Sequence, residues 1–185
     1  ARFESIQNNF SLLNPRFLDE LSTVCKKENI SLLPYSPIGG GVLSGKYNNA
    51  FYPDNARFTA YMKNESPRVQ AQATRFVNDK TKAATAKYIE LAKQYGISPV
   101  TLAVAYSKHF DFVASTIIGA REVSQLDESL AAFRFKIDDE LMLKIEAIQK
   151  DILYPMGWLN IINYFLLQLT IKKSIYWAFY RFNKL

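Results

Sequence analysis

Two short stretches carry residue types that could bind a charged ligand. In the first, LLPYSPIGGGVLSGKY at Leu32–Tyr47, an apolar run ends in Tyr35-Ser36-Pro37, and a glycine cluster and the cation Lys46 follow. Glycines let a backbone approach a ligand closely, and a nearby ammonium favours phosphate. Gly40 to Lys46 has the glycine-x4-glycine-lysine spacing of a nucleoside-triphosphate loop. That loop needs Ser or Thr after the lysine to hold magnesium, and Tyr47 stands there instead. The second stretch is STIIGAREVSQLDES at Ser115–Ser129. A strand-like run ends at Gly119, Arg121 offers a planar fork to a phosphate, and a helix is predicted from about Ser124. Gln125 and Glu128, three apart, fall on one side of that helix and could hold a base or ribose edge. A charged helix terminus with no ligand explains this second stretch equally well on spacing alone.

The surrounding sequence alternates strands and helices. Phe3–Gln7 reads as a short strand. Asn14-Pro15 reads as a cap with proline at the first helical position, followed by an apolar stripe of Phe17, Leu18, Leu21, Val24 and Cys25. Ile30–Tyr35 and Val113–Gly119 read as strands buried on both faces. The stretch from Tyr47 to about Val77 reads as loop, then helix, and its first part, Asn48–Pro67, as a lid. Helices are predicted at Asp79–Tyr95 with a stop at Gly96, from Ser98-Pro99 to Lys108, at Val123–Phe133, and at Glu140–Lys150 behind Asp138. This order predicts an α/β fold with a parallel sheet. Three strands do not close an eightfold (β/α) barrel, which takes about 250 residues. The 185-residue chain, beginning abruptly at Ala1, is therefore expected to be the C-terminal half of such a barrel.

Charge and cysteine content narrow the class. Of the net +6, four positive charges (Lys172, Lys173, Arg181 and Lys184) lie after Asp151, where no acidic residue occurs. The excess belongs to the tail, so a nucleic-acid partner is not expected. The lone Cys25 rules out an internal disulfide and fits a reducing, cytoplasmic setting. The only histidine, His109, is expected at a helix end or on the surface.

SIQNNFSLL at Ser5–Leu13, together with the two stretches above, resembles the aldo-keto reductase superfamily. The similarity is greatest to the branch of Tas-type oxidoreductases and potassium-channel β-subunits. It runs to about Pro155, with three motifs in the family's order. It implies a (β/α)8 barrel and hydride transfer between NADPH and a small carbonyl compound, an aldehyde or ketone.

By the same resemblance, Gln7 would bond the nicotinamide carboxamide and Tyr35 would stack on its ring. Ser36, Pro37, Ile38 and Gly39 would line the pyrophosphate. Lys46 and Arg57 would stand near the phosphates, and Gly119 and Arg121 would form a second phosphate turn. Gln125, Glu128 and Ser129 would contact adenine, although the family usually has Asn where Ser129 stands. Three cations favour NADP over NAD, because the 2′-phosphate is an added dianion. The family's catalytic Asp, Tyr, Lys and His belong to the barrel's other half. No catalytic residue is therefore assigned here, and the chain alone is expected to be inactive. A non-catalytic NADP-binding subunit and a non-functional fragment are the alternatives.

Residues 1–156 are thus expected to form the half-barrel, with 157–185 outside the resemblance. That tail is apolar and basic. An interfacial helix touching membrane is one reading; out-of-frame sequence or a lineage-specific extension is the other.

Overall fold

The computed structural model describes residues 2–157, so the tail readings from Trp158 onward lie outside the described residues. Strand β1 (Ser5–Asn9) leads through a 3-10 turn (Arg16–Leu18) and helix α1 (Leu21–Glu28) to β2 (Ser31–Tyr35). The strands are parallel, in register from Ser5 opposite Ser31 to Asn9 opposite Tyr35. Parallel pairing needs a crossover, and α1 supplies it. A double 3-10 turn (Gly39–Ser44) follows β2. Then come α2 (Arg57–Met62), α3 (Pro67–Phe76), α4 (Asp79–Gln94), α5 (Pro99–Lys108), α6 (Val123–Ala131) and α7 (Asp139–Asp151).

Helix starts follow their caps. The Asn78 side chain accepts from the Thr81 N–H at 3.0 Å, while the Thr81 hydroxyl accepts from the Asn78 N–H at 3.0 Å. This reciprocal box satisfies two orphan donors of α4. Ser98 and Asp138 cap α5 and α7 with one bond each, a side-chain oxygen accepting the N–H of Thr101 or of Leu141. Gly96, at φ +65°, stops α4 in the left-handed region. Helix α5 is buried from Val100 through Ser107, as a helix with apolar residues on every side must be. Phe10, Tyr106, Phe110 and Phe112 pack ring to ring at 5.3–6.1 Å and join α5 to the loop after β1.

Four local expectations are corrected. The first strand lies two residues later than Phe3–Gln7, because pairing with β2 fixes its extent; Phe3 is exposed. Asn14 is not a helix cap: its amide donates to the Asn9 side chain at 2.9 Å, and the first turn after Pro15 is 3-10. The α1 stripe is only partly covered, with Phe17 and Cys25 buried but Leu21 and Val24 exposed. Residues 113–119 are not a buried strand. They run beside β2 with one parallel bridge, Leu32 to Val113, and hydrogen bonds such as Ile117 N–H to Pro34 O at 2.8 Å. Their outer edge meets no further strand among the described residues, so they stay open to solvent. Strand β2 has neighbours on both edges, yet it is not buried on both faces: it alternates, with Leu32 and Pro34 buried and Leu33 half-buried.

Candidate functional site

The turn after β2 is built from left-handed residues. Ser36 has φ +56°, an uncommon conformation for a non-glycine residue. The Gly39 N–H returns to Ser36 O at 2.9 Å, and the Gly41 N–H to Ile38 O at 3.0 Å. Gly40 must be glycine for two reasons, and Gly41 for the first of them. Their φ values are +64° and +95°. A Cβ on Gly40 would stand 2.7 Å from the Phe58 ring, and one on Gly41 would stand 2.7 Å from Lys46 Cε and Nζ. The Lys46 side chain therefore lies back across the glycine turn.

Helix α2 braces this turn. Tyr47 is fully buried, and its hydroxyl oxygen accepts the Phe58 N–H at 3.1 Å. Phe58 in turn stacks on Phe76 at 4.9 Å. Tyr47, which removed the triphosphate reading, is thus a structural residue holding the start of α2. Residues 117–121 and the first turn of α6 form the facing wall. There Gln125 Oε1 accepts the Arg121 N–H at 3.1 Å, and no side chain caps α6.

The two walls enclose a cavity of about 380 Å³, within the range of small-molecule sites. Ten of the expected residues line it: Tyr35, Ser36, Pro37, Ile38, Lys46, Arg57, Gly119, Arg121, Gln125 and Ser129. Three do not. Gly39 packs toward Leu13, Gln7 lies on β1 opposite Leu33, and the Glu128 side chain is exposed while its carbonyl accepts from Thr101 at 2.8 Å. Ser129 lines the cavity, but its hydroxyl donates to Gln125 O at 3.3 Å. Gly40, Gly41, Val104, Ile117, Ile118 and Ala120 also line it. Gly40 and Gly41 were visible in the glycine cluster; Val104 carries no sequence signal, being one apolar residue of a buried helix.

The cavity is electrostatically one-sided. Burial, and then the charges of Arg57 and Arg121, hold the Lys46 ammonium below the usual lysine range. No ion pair among the described residues engages any of these three cations. Three mutually repelling cations around a glycine turn give the cavity the charge that a polyanion would offset. His109 caps α5 on the surface, away from the cavity, and Cys25 is buried with its thiol pKa pushed up. The described residues hold no metal-ligating cluster, and no helix among them is long and apolar enough to cross a membrane.

A sequence model of the aldo/keto reductase family matches residues 1–150. The chain belongs to that family. Protein tas of Escherichia coli strain K12 is 34% identical over 154 residues, covering 83% of this chain and 42% of tas. A putative voltage-gated potassium channel subunit beta of Schizosaccharomyces pombe is 28% identical over 116 residues, 62% of this chain and 32% of that protein. The structure of a glycerol dehydrogenase from Gluconobacter oxydans superposes with a TM-score of 0.59 at 22% identity, covering 81% of this chain and 43% of that one. The chain thus spans about two fifths of the length of such aldo/keto reductase relatives. Its strand pair and helices form part of a (β/α)8 barrel.

Proposed function

We propose that this chain is the NADP(H) seat of an oxidoreductase that, as a whole protein, transfers hydride between NADPH and an aldehyde or ketone. Residues 1–156 would be the barrel part, with 157–185 a separate tail, and the protein would work in the cytoplasm. The convergence of Lys46, Arg57 and Arg121 on one cavity without an acidic partner carries the reading. Two features fit a dinucleotide. At Gly40 a Cβ would meet the Phe58 ring at 2.7 Å, so the turn stays bare backbone there, and the space beside Gly119 is open.

Bound there, the nicotinamide would supply the hydride. Tyr35, 37% exposed at the end of β2, would present its ring to the nicotinamide and fix which face is offered. Gln7 would serve the carboxamide, and Ser36 to Gly39 the pyrophosphate, joined by Gly40 and Gly41. Lys46, Arg57, Gly119 and Arg121 would hold phosphates, and Gln125, Glu128 and Ser129 the adenine side. No catalytic residue is assigned among them.

The test is charge removal at two exposed or half-buried positions. Lys46→Met and Arg57→Met should each weaken NADPH binding about tenfold, as loss of one charge-assisted bond does, and weaken NADH binding less. Equal losses for both cofactors would sink the 2′-phosphate assignment.

A further inference from the structure

Arg121 makes one contact that phosphate binding does not require: its Nη1 donates to the backbone carbonyl of Asn55. Arg121 lines one wall of the cavity, and Asn55 comes two residues before Arg57 of the other wall. Between Tyr47 and α2 the chain forms an arch over residues 48–56. One foot is fixed: the Asn48 amide donates to Lys82 O at 2.9 Å, and Tyr52 packs edge-on against Tyr47 at 5.6 Å. The other foot is Ala56, buried at the start of α2.

Apart from Tyr52, which packs on the core and lies under Lys82 at 5.1 Å, little holds the arch between its feet. Phe51 is 91% exposed and Pro53, Asp54 and Asn55 are exposed. The pair of Asp54 with Lys63, at 2.8 Å, is open to water on both sides and of little weight. Arg121 therefore supplies the tie that crosses from the arch to the facing wall. A guanidinium has five N–H donors in a fixed fork. Spending Nη1 on Asn55 leaves the rest of the fork for an anion in the cavity that Arg121 also lines.

We infer that Arg121 is a clasp as well as an anion ligand: it holds the 48–56 arch against the 117–121 wall, and so sets the gap between Arg57 and Arg121. The ligand's identity rests on the NADP(H) reading; the clasp does not, because both of its partners belong to this chain. One guanidinium serves loop and ligand together, so its removal should loosen the site twice over.

The experiment is hydrogen exchange on the ligand-free 185-residue chain, comparing wild type with Arg121→Met and Asn55→Ala. Arg121→Met should speed exchange of the Ala56 amide, bonded to Pro53 O at 3.0 Å, and of the Phe58 amide, bonded to the Tyr47 hydroxyl at 3.1 Å, about 3- to 10-fold, the effect of one exposed charge-assisted bond on local opening. Asn55→Ala should leave them at the wild-type rate, because the acceptor is a backbone carbonyl. Amides of the buried α5 serve as the internal reference, and faster exchange there to the same degree would show general destabilisation and overturn the clasp. Unchanged exchange at Ala56 and Phe58 would also overturn it, even if Arg121→Met weakened NADPH binding, since Arg121 would then be a ligand alone. Loosened exchange in a chain that binds no NADPH would keep the clasp and remove the cofactor reading.

Discussion

Gly40→Ala should destabilise the chain far more than Gly96→Ala, although both glycines hold almost the same backbone conformation. Their φ values are +64° and +65°. An alanine in the left-handed region costs about 1–2 kcal/mol, and a gain of about 0.4–1 kcal/mol from the stiffer unfolded chain offsets part of it. Gly96 has nothing within 4 Å of an added Cβ, so its net cost should stay near 1 kcal/mol or below. At Gly40 the Cβ meets the Phe58 ring at 2.7 Å, and that ring cannot retreat. Phe58 is buried and stacked on Phe76, and its N–H is bonded to Tyr47. Overpacking of this kind adds about 1–3 kcal/mol. At roughly 2–4 °C per kcal/mol for a domain of this size, Gly40→Ala should melt several degrees below Gly96→Ala. Urea unfolding followed by circular dichroism gives the same comparison through the midpoints. Equal midpoints for the two variants would refute the claim that the glycine turn is pinned under Phe58.

Stability should hold to about pH 10 and then fall steeply. Burial pushes the phenols of Tyr88 and Tyr106 well above the usual tyrosine range, so the fold favours their neutral forms. Unfolded tyrosines titrate near about pH 10, and the stabilisation present below that pH is lost above it; thermal melts from pH 8 to 11 check this, and Tyr88→Phe with Tyr106→Phe should flatten the decline. Asn78→Ala should cost about 0.5–2 kcal/mol from the cap of α4. It should also loosen residues 153–157 in hydrogen exchange, because the same amide donates to Pro155 O at 3.3 Å.

What could be read from the sequence was what short-range chemistry decides. Ser98-Pro99, Asp138 and Gly96 announced their helix ends, because a cap is satisfied within a few residues of itself. Asn14-Pro15 gave the same signal and misled, because Asn9, brought close by the turn after β1, takes the Asn14 amide. The strand at 113–119 was overestimated for a related reason. Its apolar residues match a buried strand, but a ladder needs a partner on each side, and only β2 is there among the described residues.

At the site, the glycine cluster and the Gly119–Gln125 turn were legible as motifs. Which glycines face the cavity was not, because Gly39 turns toward Leu13 while Gly40 and Gly41 turn toward Phe58 and Lys46. The Arg121 tie to Asn55 spans 66 residues and ends on a carbonyl, which no side-chain pattern records.

The central claim is that three cations around a glycine turn form a seat for a 2′-phosphorylated dinucleotide. Calorimetric titration of the 185-residue chain with NADPH and with NADH tests it directly. One added charge-assisted contact contributes about 1.5–3 kcal/mol, so NADPH should bind roughly 10- to 100-fold more tightly than NADH. Equal affinities, or no saturable binding of NADPH, would contradict the account.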